Sequence, residues 1–148
     1  MEALLISACL LGENCKYDGG SNALPAQVLA ALCSRFRLVP VCPEVLGGLP
    51  IPRCPSERRG EAVITRDGRD VTEAFRRGAE QALVIAEGEG CRRALLKERS
   101  PSCGPEGIYD GSFSHRVIPG AGVTAALLRQ AGLDILGESR IRELLEAE

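Results

Sequence analysis

One stretch of the sequence, residues 93–105, reads RALLKERSPSCGP. Its first four residues have the length and apolar character of a short buried strand, and its second half places Cys103 beside a glycine and between two prolines. Such a loop is stiff and holds a cysteine out of the core, as a metal ligand or a nucleophile requires. The stretch therefore predicts a strand that ends in a functional loop.

The same arrangement occurs twice more. An apolar run at residues 3–8 leads into Cys9, and another at residues 36–41 leads into Cys42. Strand-like and helix-like patterns alternate along the chain, which predicts a parallel α/β sheet. Because parallel strands end at one edge of their sheet, we expect Cys9, Cys42 and Cys103 to meet there, near a topological switch point.

The remaining periodicities complete this prediction. Strands are expected at 2–8, 36–41, 92–97 and 133–136, and helices at 23–34, 73–88, 123–131 and 138–148. Ser21 or Asn22 can cap the first helix, and Pro40 favours either an edge position for the second strand or a strand that stops early. An Asp-Gly pair predicts a hairpin over 62–72, whereas 42–55 and 104–120 are predicted to be irregular. The predicted fold class is α/β: a single domain over 1–148, with a Rossmann-like parallel sheet, helices on both faces and a small β-hairpin insertion.

Composition limits the partners. The chain has 148 residues and a net charge of −2 from 18 basic and 20 acidic side chains, without the basic patch of a nucleic-acid-binding protein. Its three Phe and two Tyr, without Trp, are too few for base-stacking platforms. We expect a small-molecule substrate and no stable nucleic-acid partner.

Seven cysteines are the unusual feature of the composition. No apolar run reaches the length of a signal-peptide core or a membrane span, so we expect a cytoplasmic protein, with no membrane association, whose thiols stay reduced. Thiolates select zinc or iron–sulfur clusters, and three protein ligands on a cubane would leave one iron open. Ordinary unliganded cysteines are the alternative, since the chain has no CxxC pair.

Two other functions use the same residues. A thiol-nucleophile hydrolase without metal would have to pair a cysteine with His115, the only histidine. A non-catalytic zinc or iron–sulfur module would normally close four ligands, and no fourth matching cysteine is evident. Cys15 and Cys54 lie in predicted loops, and their roles stay open.

Several long motifs resemble the domain family first catalogued as unknown-function family 523, whose characterised members are thiouracil desulfidases. They are LISACLLGENCKYDG (5–19), PVCPEVLGGLP (40–50), KERSPSCG (97–104), IYDG (108–111) and GVTAALL (122–128). The resemblance extends to about residue 136, and the chain departs from the family's pattern at Cys54.

The resemblance implies a cofactor and a reaction. It implies a [4Fe-4S] cluster bound by three cysteines, matching Cys9, Cys42 and Cys103, with one open iron. Glu44 matches the family's catalytic acid/base, and Ser100 matches its assisting hydroxyl. The implied reaction is a non-redox desulfuration, in which water replaces C=S by C=O and sulfide is released.

The expected substrate is a thiolated base, nucleoside or nucleotide: thiouracil, 4-thiouridine or its monophosphate, with the monophosphate favoured. Cations near the site could neutralise one phosphate, and backbone amides or hydroxyls could bind the rest. The candidate substrate-binding residues are Ser102, Lys97, Arg53, Gly47, Gly48 and Thr124.

Overall fold

The structure is a computed structural model that describes residues 1–146. Its strands are β1 (Glu2–Ser7), β2 (Phe36–Val41), β3 (Ser56–Arg59), β4 (Ala62–Thr65), β5 (Arg93–Leu96), β6 (Gly107–Tyr109), β7 (Val117–Pro119) and β8 (Asp134–Gly137). Its helices are α1 (Ala26–Arg35), α2 (Pro43–Leu46), α3 (Thr72–Gly88), α4 (Val123–Gln130) and α5 (Ile141–Glu146), with 3₁₀ turns at Ala8–Leu11 and Glu138–Arg140.

A parallel four-stranded sheet in the order β2-β1-β5-β8 forms the centre of the molecule. Strand β1 lies inside the sheet, and its Leu4, Leu5 and Ile6 are fully buried, which explains the unbroken apolar run. The chain steps outward from β1 to β2 and then returns past β1 to β5, so the strand order reverses between β1 and β5. The predicted switch point lies there, and the predicted edge position of Pro40 is confirmed by β2.

Helices cover both faces of the sheet, as predicted. On one face Ala82 of α3 and Leu128 of α4 pack with Leu5 of the sheet. On the other face Leu32 of α1 and Leu144 of α5 pack with the neighbouring strands. No helix within residues 1–146 is long and apolar enough to cross a membrane.

The hairpin insertion exists and its predicted first strand, 62–65, is β4, but residues 70–72 do not form the predicted second strand. Strand β4 pairs along its length with the preceding β3. Across the Asp-Gly turn it makes an isolated bridge between Ile64 and Asp70, and the amide of Val71 donates to the Val63 carbonyl at 2.9 Å. The Asp70 carboxylate instead accepts the amide hydrogen of Thr72 at 2.9 Å, which turns the chain into α3. Strand β3 reads SERR and has no apolar alternation that could predict it.

The structure also differs from the prediction in the loop after β5 and at the start of the first helix. Residues 104–120 contain a second antiparallel pair, β6 and β7, whose strands of three residues are too short to show a period. Helix α1 begins after Pro25 and has no side-chain cap, so neither Ser21 nor Asn22 caps it. The last helix was predicted through 148, and residues 147–148 lie outside the described residues.

Helix α2 is a single turn that is held against α3 by two glycines. A methyl group on Gly47 would overlap the carbonyl oxygen of Ala74, and one on Gly78 would overlap that of Pro43. Because one helical turn is unstable alone, this close approach fixes where α2 lies. Substitution at either glycine has to separate the two helices.

We expect Gly78→Ala to lower the free energy of unfolding by about 2 kcal/mol or more, because overlap with the backbone of α2 outweighs the better helix propensity of alanine. Gly88→Ala is the matched control, since a methyl group there has nothing within 4 Å. Urea unfolding measures both variants. If Gly78→Ala were as stable as Gly88→Ala, the packing of α2 against α3 would not depend on this glycine contact.

Candidate functional site

Three loops carry cysteines at the carboxyl edge of the sheet. Cys9 lies in the 3₁₀ turn that follows β1, Cys42 directly precedes α2 after β2, and Cys103 lies in the loop after β5. These strands are neighbours in the order β2-β1-β5, so the three loops start side by side. Cys103 is buried in the core between the sheet and α3, so the expectation that its loop holds it out of the core is wrong, whereas Cys9 and Cys42 are half-buried.

The cysteine thiols interact electrostatically. Burial raises the pKa of the Cys103 thiol to about 12, although a hydrogen bond with Ser7 opposes the rise. Negative charge on Cys9, Glu44 and Cys42, in decreasing order of effect, raises the pKa of Cys103 further. The structure therefore brings the three predicted ligand cysteines and Glu44 into one electrostatic cluster.

Two polar residues outside the predicted set also reach the thiols. The Asn22 side-chain amide donates to the Cys9 sulfur at 3.5 Å and opposes the rise in the Cys9 pKa that burial causes. Cys15 is buried, and the Cys42 sulfur lies 3.7 Å from its carbonyl oxygen. Burial, followed by the charge of Cys42, raises the pKa of Cys15 to about 12. The sequence pattern predicts a helix cap at Asn22 and does not indicate its contact with the Cys9 sulfur.

The Cys103 loop is bonded to the start of α4. Amides of the first α4 residues donate to loop carbonyls: Val123 to Pro101 at 2.9 Å, and Thr124 and Ala125 to Ser102 at 2.8 and 3.1 Å. A methyl group on Gly122 would overlap the Ser102 carbonyl, so α4 approaches the loop more closely than a side chain permits. These three amides at the start of α4 therefore already have hydrogen-bond partners within the protein.

Ser100 organises the same loop through its hydroxyl. Its Oγ accepts the amide hydrogens of Ser102 at 3.1 Å and of Cys103 at 3.0 Å. A hydroxyl has two acceptor lone pairs and one donor hydrogen, so both acceptor positions are occupied. The Ser100 hydrogen is left to donate.

Ser102 and Thr124 are bonded to each other. Their hydroxyl oxygens are 2.8 Å apart, and both residues are buried. The pair therefore ties the Cys103 loop to α4 inside the protein. A role for these two side chains in substrate binding stays a prediction.

Glu44 lies in α2, two residues beyond Cys42, and pairs with Arg53. The Arg53 Nε donates to Glu44 Oε1 at 3.0 Å, and the exposed fractions of the two side chains are 7% for Arg53 and 17% for Glu44. Burial raises the pKa of Glu44, while the charge of Arg53 and its hydrogen bond lower it. Within residues 1–146 no donor reaches Glu44 Oε2, so this oxygen can take a proton.

The other predicted substrate ligands have partners of their own. The Lys97 ammonium lies 2.7 Å from Glu138 Oε2, at the end of β5. Gly47 is buried in the contact between α2 and α3, whereas Gly48 is exposed and has a positive φ of 97°. Contact of these residues with a substrate stays a prediction.

The only histidine does not join the cysteines. His115 is exposed near the tip of the β6–β7 hairpin, and its ring packs edge-on against Tyr109 with ring centroids 5.8 Å apart. In the part of the chain that the structure describes, no contact links His115 to a thiol. A Cys–His hydrolase therefore lacks its base.

The sulfur donors suit a cluster better than a single ion. Within residues 1–146, no three side chains of the metal-binding types are close enough together to hold one metal ion. In a cubane each thiolate binds a different iron, so the thiolates stand farther apart. Three thiolates, one from each of three loops, are soft donors of the kind that iron–sulfur clusters use.

These features define an α/β protein with a cysteine-lined site at the carboxyl edge of its sheet. Residues 4–140 match the 2-thiouracil desulfurase family, and the chain belongs to this family. An uncharacterized protein, YbbK, of Bacillus subtilis (strain 168) is 39% identical over 152 residues, which cover 96% of this chain and 99% of YbbK. The solved structure of the [4Fe-4S]-dependent thiouracil desulfidase TudS is 49% identical, covers 97% of this chain and 95% of its own, and aligns with a TM-score of 0.93. The expected family and fold class are confirmed.

We expect Thr124→Val to cost about 1–3 kcal/mol of stability, because it leaves the buried Ser102 hydroxyl without a partner. The double variant Ser102→Ala/Thr124→Val removes both hydroxyls and should regain most of that loss. Urea unfolding of the single and double variants measures the difference. If the loss of stability in the double variant equals the sum of the losses in the two single variants, the two hydroxyls do not stabilise the loop through their hydrogen bond.

Proposed function

We propose that this protein is a [4Fe-4S]-dependent desulfidase that replaces the C=S of a thiolated pyrimidine by C=O. Water supplies the oxygen, and sulfide leaves with its electron pair, so the reaction needs no oxidant or reductant. The observation that carries the proposal is that three loops bearing Cys9, Cys42 and Cys103, with Glu44 beside Cys42, follow three neighbouring strands at the carboxyl edge of the sheet. The family match and the likeness to TudS support it.

Cys9, Cys42 and Cys103 would hold the cluster through one thiolate each, leaving one iron open. Bound in this way, the cluster supplies a Lewis acid for the thiocarbonyl sulfur. Cys9 and Cys42 are half-buried and Cys103 is buried, so we expect the substrate to reach the cluster from the side of the first two.

Glu44 and Ser100 would act on the reacting atoms. Glu44 Oε2 would accept a proton from the attacking water, while Oε1 stays bonded to Arg53. The Ser100 hydroxyl, whose oxygen already accepts two amides, would donate its hydrogen to the substrate or the attacking water. These roles use atoms that the protein itself leaves available.

We expect anaerobic reconstitution to give a brown protein with a broad visible band. Glu44→Gln should keep this absorption and reduce sulfide release by about 10²–10⁴-fold, because it removes proton transfer without removing a ligand. Cys103→Ser should lose both the absorption and the activity. Cys33→Ser is the control and should retain both, since Cys33 is exposed on α1.

Two outcomes would contradict these roles. A colourless reconstituted protein that still cleaves the substrate would favour chemistry without a cluster. Near-normal turnover by Glu44→Gln would move the proton acceptor to another group or to water alone.

We expect the substrate to be a free thiolated base, nucleoside or nucleotide and not a nucleic acid. The comparison is kcat/KM for 4-thiouridine monophosphate, 4-thiouridine, 2-thiouracil and 4-thiouridine-containing transfer RNA at one salt concentration. The monophosphate should rank first, because Lys97 and the exposed Arg99 lie at the end of β5. Transfer RNA turned over as well as the small substrates would overturn the size prediction, and a preferred free base would remove the phosphate site.

A further inference from the structure

We infer that Arg53 is a positioning residue that holds Glu44 for catalysis, and not a ligand of the substrate phosphate. The inference rests on the proposed desulfidase function, and it goes beyond that function by assigning the group that orients the proton acceptor. It is carried by the contacts of the Arg53 guanidinium, which is almost completely buried.

Every nitrogen of this guanidinium has a partner in the protein. Nε donates to Glu44 Oε1 at 3.0 Å, Nη2 to the Cys15 carbonyl at 2.8 Å and Nη1 to the Pro50 carbonyl at 3.2 Å. The Arg53 backbone amide also donates to the Tyr17 carbonyl at 2.7 Å. A planar fork held at three points has one orientation, so Glu44 Oε1 is held in one place.

The burial of the pair gives this contact its importance. With 7% of the Arg53 side chain exposed, little water can replace a missing partner. Glu44 is the only carboxylate that pairs with Arg53 in the described residues 1–146. Loss of either partner would leave a buried charge unpaired, and the other side chain would then move.

The position of Glu44 needs such a support. It stands on α2, which is one turn long and gains little stability from its own backbone. The contact between α2 and α3 fixes the turn, and Arg53 fixes the carboxylate that projects from it. Arg53 also joins the Glu44 loop to the loop of Cys15, whose carbonyl oxygen lies 3.7 Å from the Cys42 sulfur. One side chain therefore relates the proton acceptor to a proposed cluster ligand.

The two roles of Arg53 predict different kinetic changes. A phosphate ligand acts in binding, so its loss would raise KM for 4-thiouridine monophosphate and spare 2-thiouracil. A positioning residue acts on the attacking water, so its loss lowers kcat for both substrates alike. Misplacement of a reacting group by about 1 Å can cost about 100-fold in rate.

The test compares reconstituted wild type, Arg53→Lys and Arg53→Gln with both substrates. We expect kcat to fall about 10- to 100-fold for each substrate, with KM unchanged and the visible cluster absorption retained. Lysine keeps the charge without the fork, so Arg53→Lys tests orientation in a protein that still pairs with Glu44. Arg77→Lys is the matched control with wild-type kcat, because Arg77 donates to the Gly47 carbonyl at 3.2 Å beside the same turn and does not reach Glu44.

Thermal unfolding of the same proteins gives a readout without turnover. Arg53→Gln leaves Glu44 buried without its partner, so the double variant Arg53→Gln/Glu44→Gln should unfold at a higher temperature than Arg53→Gln alone. If the shift in unfolding temperature of the double variant equals the sum of the shifts of Arg53→Gln and Glu44→Gln, the two side chains do not support each other. That result would overturn the inference.

The kinetic outcomes are also distinct. A rise in KM confined to the monophosphate, with kcat unchanged, would assign Arg53 to the phosphate and overturn the inference while the desulfidase function stands. A reconstituted wild type that releases no sulfide from any thiolated pyrimidine would overturn the proposed function, and the inference with it.

Discussion

The approach of Gly122 to the peptide between Ser102 and Cys103 controls where the site lies. Because Gly122 has no side chain, the first turn of α4 reaches the loop, and its amides bond to the loop carbonyls. Helix α4 is fixed in turn by Ala125 and Leu128, which are buried in the core between the sheet and α3. The Cys103 loop thus takes its position from the hydrophobic core, although the loop itself is irregular.

The other two cysteines depend on different supports. Cys9 follows directly from the central strand β1, and Asn22 bonds its sulfur. Cys42 depends on the glycine contact that holds α2 against α3. Neighbouring strands lie about 4.8 Å apart, so the loops at the ends of three adjacent strands start side by side at one edge of the sheet. Within residues 1–146 this arrangement leaves no three metal-binding side chains close enough together to hold one metal ion.

Sequence reasoning found the central sheet because each of its strands is either unbroken apolar sequence or ends in a recognisable loop. It missed β3 because that strand is polar, and its buried Glu57 is bonded to a loop that is distant in sequence. The Glu57 carboxylate accepts the amide hydrogens of Gly111 at 3.0 Å and Phe113 at 3.1 Å. Burial of a carboxylate by partners more than fifty residues away leaves no periodic signal.

The same distinction applies within the site. Position after a strand is a backbone property, so it predicted the edge on which the cysteines and Glu44 gather. The partner of a long or polar side chain depends on residues that are distant in sequence, and sequence could not show that Lys97 pairs with Glu138 or that Ser102 pairs with Thr124.

These internal pairs hold the loops, and they reduce the number of polar atoms that can still act on a ligand. Glu44 keeps Oε2 and Ser100 keeps its hydroxyl hydrogen, while the oxygens beside them are bonded to the protein. Within residues 1–146, Glu44 Oε2 and the Ser100 hydroxyl hydrogen therefore remain without a partner in the protein. For the proposed reaction, Glu44 and Ser100 would therefore be positioned before any ligand binds, so little free energy would be needed to order them during the reaction.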